Sequence, residues 1–191
     1  MIKSIFMSLP LLASSLILSQ SVNAEDSNHY IGGTLGYGFH DFETEKYGNA
    51  NFSDSITFDL YYQYMINDHF GVEVGGMSGS GGAFSILSDI WNDVKGLSYR
   101  GLRTAAYAKL PLSASNSLYA KAGTAYQWID YDVVLQDKER VSVSETDNGF
   151  YGAIGWEFRF RNGLALNAEY QHVPMRNLTL KSYNFGINYP F

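Results

Sequence analysis

Cysteine is absent, so neither disulfides nor thiolate metal centres are available to this chain. Positive charge is scarce: 13 Lys and Arg stand against 19 Asp and Glu over 191 residues, a net charge of −6. That acidic balance gives nucleic-acid binding no electrostatic support. After residue 24 there is no apolar run approaching the roughly 20 residues that a membrane helix needs. No spacing marks a metal site, a glycine-rich phosphate loop or a Ser/His/Asp set, and no cofactor is expected.

Residues 1–24 have a different character. Lys3 precedes an apolar stretch from Ile5 to Leu18, broken by Pro10 and by serines, and Val22-Asn23-Ala24 places small residues where a signal peptidase cuts. The pattern predicts a signal peptide over 1–24 and one exported domain over 25–191. Lys3 is the one charged residue removed, which takes the net charge from −6 to −7. An exported chain without a membrane helix either leaves the membrane behind or enters it as strands. Only helices and closed barrels satisfy their backbone groups in lipid.

What the chain has in abundance is alternation. At its end Tyr183, Phe185, Ile187, Tyr189 and Phe191 take every second position, with Ser182, Asn184, Gly186, Asn188 and Pro190 between them. Successive side chains of a strand point to opposite faces, so this ribbon meets a different solvent on each side. The same pattern recurs over His29–Phe42, Ile56–Ile66, from Phe70, over Tyr99–Leu110, from Ser117, over Phe150–Phe160 and from Leu164. Each segment is about 9 to 13 residues, the reach of a tilted strand across hydrocarbon. Connections after the second, fourth and sixth are brief, and those after the first, third and fifth are long.

A water-soluble carrier barrel would alternate too, with its greasy face inward. Charge placement separates the two. Asp59, Glu73, Arg103, Lys109, Lys121, Glu157, Arg159 and Glu169 all fall on the face opposite the aromatics, mid-strand, with the two signs in balance. The interior of an eight-stranded barrel is just wide enough for side chains to fill. These residues are therefore expected to pack the lumen as a network of ion pairs and hydrogen bonds, with the aromatics in lipid.

With its final strand of alternating aromatics closing on Phe191, the chain resembles the small eight-stranded barrels of the Gram-negative outer membrane: the OmpA transmembrane domain and the OmpX and Ail group of the porin-family barrels. The resemblance implies an all-β, antiparallel, up-and-down transmembrane β-barrel in the bacterial outer membrane. It implies that Tyr183, Phe185, Ile187, Tyr189 and Phe191 are the C-terminal signal read by the barrel assembly machinery. A monomer surrounded by outer-membrane lipid and lipopolysaccharide is expected, without enzymatic activity. Its surface loops would serve adhesion, colonisation or another contact with a host or surface protein. A peptidoglycan-anchoring role is not implied, since the sequence ends at the barrel.

Two outer segments carry further signals. Beyond Trp128 the apolar residues Ile129, Tyr131, Val133 and Leu135 switch to lumen parity while Asp130 and Asp132 face out, and Val141 and Val143 continue the inner parity after a turn. That inversion marks a passage from lipid to water and predicts a hairpin standing proud of the membrane. Ile86, Leu87, Ile90, Trp91 and Val94 follow helical spacing and predict a short amphipathic helix. Two other functions remain open at this point: a narrow low-conductance pore, and a lipid A-modifying enzyme of the deacylase kind. The resemblance to such deacylases requires a His-x-Ser pair on the lipid side. Here His172 has the outward parity but Pro174 stands where the serine belongs.

Overall fold

A computed structural model describes residues 27–42, 50–81, 94–134, 140–174 and 178–191. Eight strands follow one another: β1 (His29–Phe42), β2 (Ala50–Met65), β3 (Phe70–Gly81), β4 (Val94–Pro111), β5 (Asn116–Val134), β6 (Arg140–Arg159), β7 (Ala165–Pro174) and β8 (Leu178–Pro190). Each pairs antiparallel with its sequence neighbours, and β1 pairs with β8, from Tyr30 against Pro190 to Phe42 against Leu178. The sheet is thus a closed barrel. Closure removes the edges that would otherwise leave unpaired amides in hydrocarbon.

One end is finished by tight turns whose side chains complete the backbone bonding. The Asn67 Oδ1 accepts from the His69 and Phe70 amides, both at 2.9 Å. The Ser113 Oγ accepts from the Asn116 amide at 3.1 Å. The third turn needs Gly163, whose φ of 84° is costly for a residue with a Cβ. Short turns belong at the periplasmic end of such barrels. Ser27 and Phe191 meet there, the Ser27 hydroxyl donating to the Phe191 carbonyl oxygen at 2.6 Å.

Alternation along the strands is resolved as two surfaces. Phe58, Tyr62, Trp156 and Phe185 face outward, Phe185 at 71% exposure and Ile154 at 64%. Glu73 and Arg103 lie inside at 1% and 2%. Glycines on the inner face make room for large neighbours. A Cβ on Gly32 would collide with the ring of its cross-strand partner Tyr61, which lies across the lumen.

The strands depart from the expected bounds at the outer end. β2 begins at Ala50, so residues 50–54 are strand and not loop. β4 begins at Val94, which pairs with Val133 and is not helical; residues 86–93 lie outside the described set. β4, β5 and β6 reach 18, 19 and 20 residues, beyond the 9 to 13 of a membrane crossing, because their outer thirds continue past the lipid.

Candidate functional site

The lumen is built in layers. At the centre, one guanidinium and one ammonium are shared among three carboxylates. Arg103 Nη2 lies 2.9 Å from Glu73, and its Nη1 lies 3.5 Å from Asp59. Lys121 Nζ lies 3.0 Å from Glu73 and 2.7 Å from Glu169. The Gln171 amide nitrogen donates to Asp59 at 2.8 Å and to Glu169 at 2.7 Å. Arg103 also donates to the Tyr151 hydroxyl at 2.6 Å and lies over that ring, 4.7 Å from its centroid. Tyr61 carries Lys121 over its face at 4.7 Å, and its hydroxyl accepts from Asn167 at 3.1 Å.

Toward the turn end a second group reverses the balance. Glu157 meets Lys109 at 3.2 Å and Arg159 at 2.8 Å, and accepts from Asn188 at 3.2 Å. Arg159 also donates to the Gly163 carbonyl at 2.8 Å. The eight charged positions therefore fall into two clusters, one with an extra carboxylate and one with an extra cation. Toward the outer end the lumen mixes apolar side chains with buried Gln127, whose amide nitrogen donates to the Met77 sulfur at 3.3 Å. Met77, Tyr99, Ile129, Tyr151, Val173 and Leu180 pack there into a plug that charge patterning alone did not reveal. Their parity was the available signal, as it was for Gln63, Gln127, Asn167, Gln171, Asn184 and Asn188, all buried on the same face.

The outer sheet is formed by β4, β5 and β6 beyond the lipid. β5 and β6 stay in register to Val134 against Arg140, pairing Tyr131 with Val143 and Val133 with Val141. Leu135 lies outside the described residues. Ile129 is buried while Asp130 is exposed and accepts from the Ser144 hydroxyl at 2.6 Å. On the outward face of β6, Phe150 is followed by Asn148, Thr146 and Ser144, all exposed, so the change from lipid to water falls between Phe150 and Asn148. Tyr126 and Trp128, rings edge to face at 4.9 Å, mark the same level on β5.

His172 sits between Gly152 and Lys181, on the outward side between buried Gln171 and Val173. Among the described residues no group of three His, Asp or Glu could hold a metal, and no helix is long and apolar enough to cross a membrane.

A closed antiparallel barrel with an oily outer wall and an ionic interior is a transmembrane β-barrel, the inverse of a soluble carrier. The chain belongs to the family described as the outer membrane protein beta-barrel domain, whose model matches residues 10–191, and its place is the bacterial outer membrane. No curated protein matches the sequence. Among solved structures, Ail, the attachment invasion locus protein of Yersinia pestis, aligns at 17% identity and a TM-score of 0.56, over 86% of this chain and 99% of that one. Neisserial surface protein A aligns at 13% identity and 0.65, over 86% and 98%. The N-terminal barrel of Pseudomonas aeruginosa OprF aligns at 13% and 0.54, over 85% and 98%. At these identities the likeness is one of fold.

Proposed function

We propose that this barrel is a non-enzymatic surface-interaction protein, anchored by its lipid face and contacting its partner through the β4–β5–β6 sheet. The observation that carries the reading is the continuous β5–β6 ladder rising past the lipid boundary at Phe150. A barrel that served only as an anchor would have no need of this long paired extension in water. Ail, which shares the fold, is by name an attachment and invasion protein, and one of its structures holds a heparin analogue. The sequence from Asp130 to Asp147 is acidic, with six carboxylates against two cations, which disfavours a sulfated ligand and favours a cationic one. In the same reading the signal peptide is cleaved after Ala24, the β8 aromatics ending at Phe191 are read by the assembly machinery, and the closed barrel works as a monomer.

Deleting Asp130 to Glu145 should abolish attachment of whole cells to the surfaces they bind, while the barrel keeps its heat-resistant electrophoretic mobility. Attachment that survives the deletion removes the sheet as the contact. The competing deacylase reading rests on His172. Overproduction of the protein should leave the lipid A mass spectrum unchanged, and a loss of one acyl chain would overturn the non-enzymatic reading.

A further inference from the structure

The oily wall is not smooth everywhere. Near the outer lipid boundary a cleft of about 620 Å³ opens over β4, β5 and β6, with Leu102, Tyr126 and Phe150 as its apolar sides. That volume is in the range of small-molecule sites. The outward side chains of the cleft fall on two rungs of the sheet. Thr104 pairs with Thr124, which pairs with Phe150; one rung further out, Leu102 pairs with Tyr126, which pairs with Asn148. The rung beyond those sets Arg100 against Trp128.

These rungs hold polar groups for which the protein supplies too few partners. The rung of Phe150 lies on the lipid side of the boundary, yet it presents the hydroxyls of Thr104 and Thr124, both exposed. They meet each other at 3.4 Å. One bond between two hydroxyls uses one hydrogen and leaves the second to be placed elsewhere. In hydrocarbon an unbonded hydroxyl costs free energy. At the margin, Arg100 is exposed and has no hydrogen-bond or ion-pair partner among the described residues. Asp130 stands on the next rung, opposite Ser98, and accepts instead from the Ser144 hydroxyl at 2.6 Å.

From the lipid outward the chemistry therefore runs from apolar walls through a spare hydroxyl donor and the Asn148 amide to a guanidinium. An anionic amphiphile has the matching order: acyl chain, ester or amide linkage, polar head, phosphate. A guanidinium suits phosphate in both shape and charge. A zwitterionic phospholipid carries its own cation beside its phosphate, whereas lipid A carries phosphates with none. A lone arginine favours the second by charge complementarity.

We propose that this cleft is a seat for one molecule of lipid A, the membrane end of lipopolysaccharide. One acyl chain lies among Leu102, Tyr126 and Phe150, a linkage carbonyl accepts from the Thr104 and Thr124 pair, and a phosphate meets Arg100. Asn148 is placed for the sugar between them. The seat is on the membrane wall, below the outer sheet, and stands whether or not that sheet binds a partner.

Native mass spectrometry of the full barrel in detergent, titrated with purified lipid A, tests it. A single saturating adduct is expected. Binding should be about tenfold weaker for Arg100→Gln, for dephosphorylated lipid A, and for Thr124→Phe, whose ring would fill the cleft. Arg161→Gln, which removes an exposed cation at the opposite, periplasmic end, should bind as wild type. Phosphatidylethanolamine should give no saturating adduct. Equal binding by Arg100→Gln and wild type overturns the proposal. So does a run of adducts without saturation, which is only the lipid collar of any barrel. A single adduct of equal strength with phosphatidylglycerol would give the cleft to a phospholipid and overturn lipid A as its occupant. Arg100→Gln and the lipid series decide the matter even if Thr124→Phe fails to fold.

Discussion

Barrels carrying Arg103→Met should unfold at distinctly lower urea than wild type, with a loss of about 3 to 5 kcal/mol. The guanidinium is buried and serves Glu73, Asp59 and the Tyr151 hydroxyl together. Without it, three carboxylates share one ammonium, and Asp59 keeps only its bond from Gln171. The cost lies in the charges left behind more than in the attraction lost. A buried cluster replaced as a whole by apolar groups is often neutral, whereas removing one partner strands the others. Adding Asp59→Asn and Glu73→Gln to Arg103→Met should therefore recover much of the stability, despite deleting more of the network. Urea titrations in phospholipid vesicles give both numbers. A loss below about 1 kcal/mol for the single variant would mean that water already screens the centre, as it does for exposed pairs.

Phe185→Arg should cost about 2 to 4 kcal/mol, the penalty of a cation at the bilayer midplane of a barrel wall. Among the described residues Phe185 is the most exposed large apolar one, and it stands between Leu35 of β1 and Ala168 of β7. Leu112→Arg, in the turn between β4 and β5 where Leu112 is also exposed, should cost only about 0 to 1 kcal/mol because it lies near the interface. In a water-soluble barrel both changes would be close to neutral, since an arginine on a wet surface is at home. The difference between the two variants thus measures the depth of the lipid directly. A harmless Phe185→Arg in vesicles would show that hydrocarbon does not cover that wall.

How far such features can be read from residues depends on the solvent around them. β1 was legible at both ends, and Ile56 to Ile66 alternates cleanly, one residue past the end of β2 at Met65, because oil on one side and ions on the other impose a period of two. The extension of β2 back to Ala50 was not legible, since Asn51, Ser53 and Asp54 put polar residues at both parities and break the period. At Val94 a helical spacing competed with the ladder to Val133, and the long-range pairing won. Within the lumen, parity gives the face of a charge but not its partner. Arg103 meets Glu73 on the neighbouring strand yet also reaches Asp59 two strands away, and Lys121 reaches past β6 to Glu169 on β7. Those encounters depend on strand tilt and stagger, which one strand at a time does not encode. The inversion at Ile129 predicts a hairpin leaving the lipid, and the same inward residue packs with Met77 and Tyr99 in the lumen.

Closure of β1 on β8 gives this protein an order of events. The first strand to emerge is hydrogen-bonded to the last, and the ionic centre draws on β2, β3, β4, β5 and β7. Contacts between such distant parts of a chain form slowly. During export, Asp59 and Glu73 are made before the cations that neutralise them, and neither could cross hydrocarbon alone at a tolerable cost. Its charges are therefore expected to enter the bilayer as an assembled, neutralised bundle, once the strands that supply both signs have paired. Export and insertion are thereby separated in time by the same pairings that later hold the finished wall together.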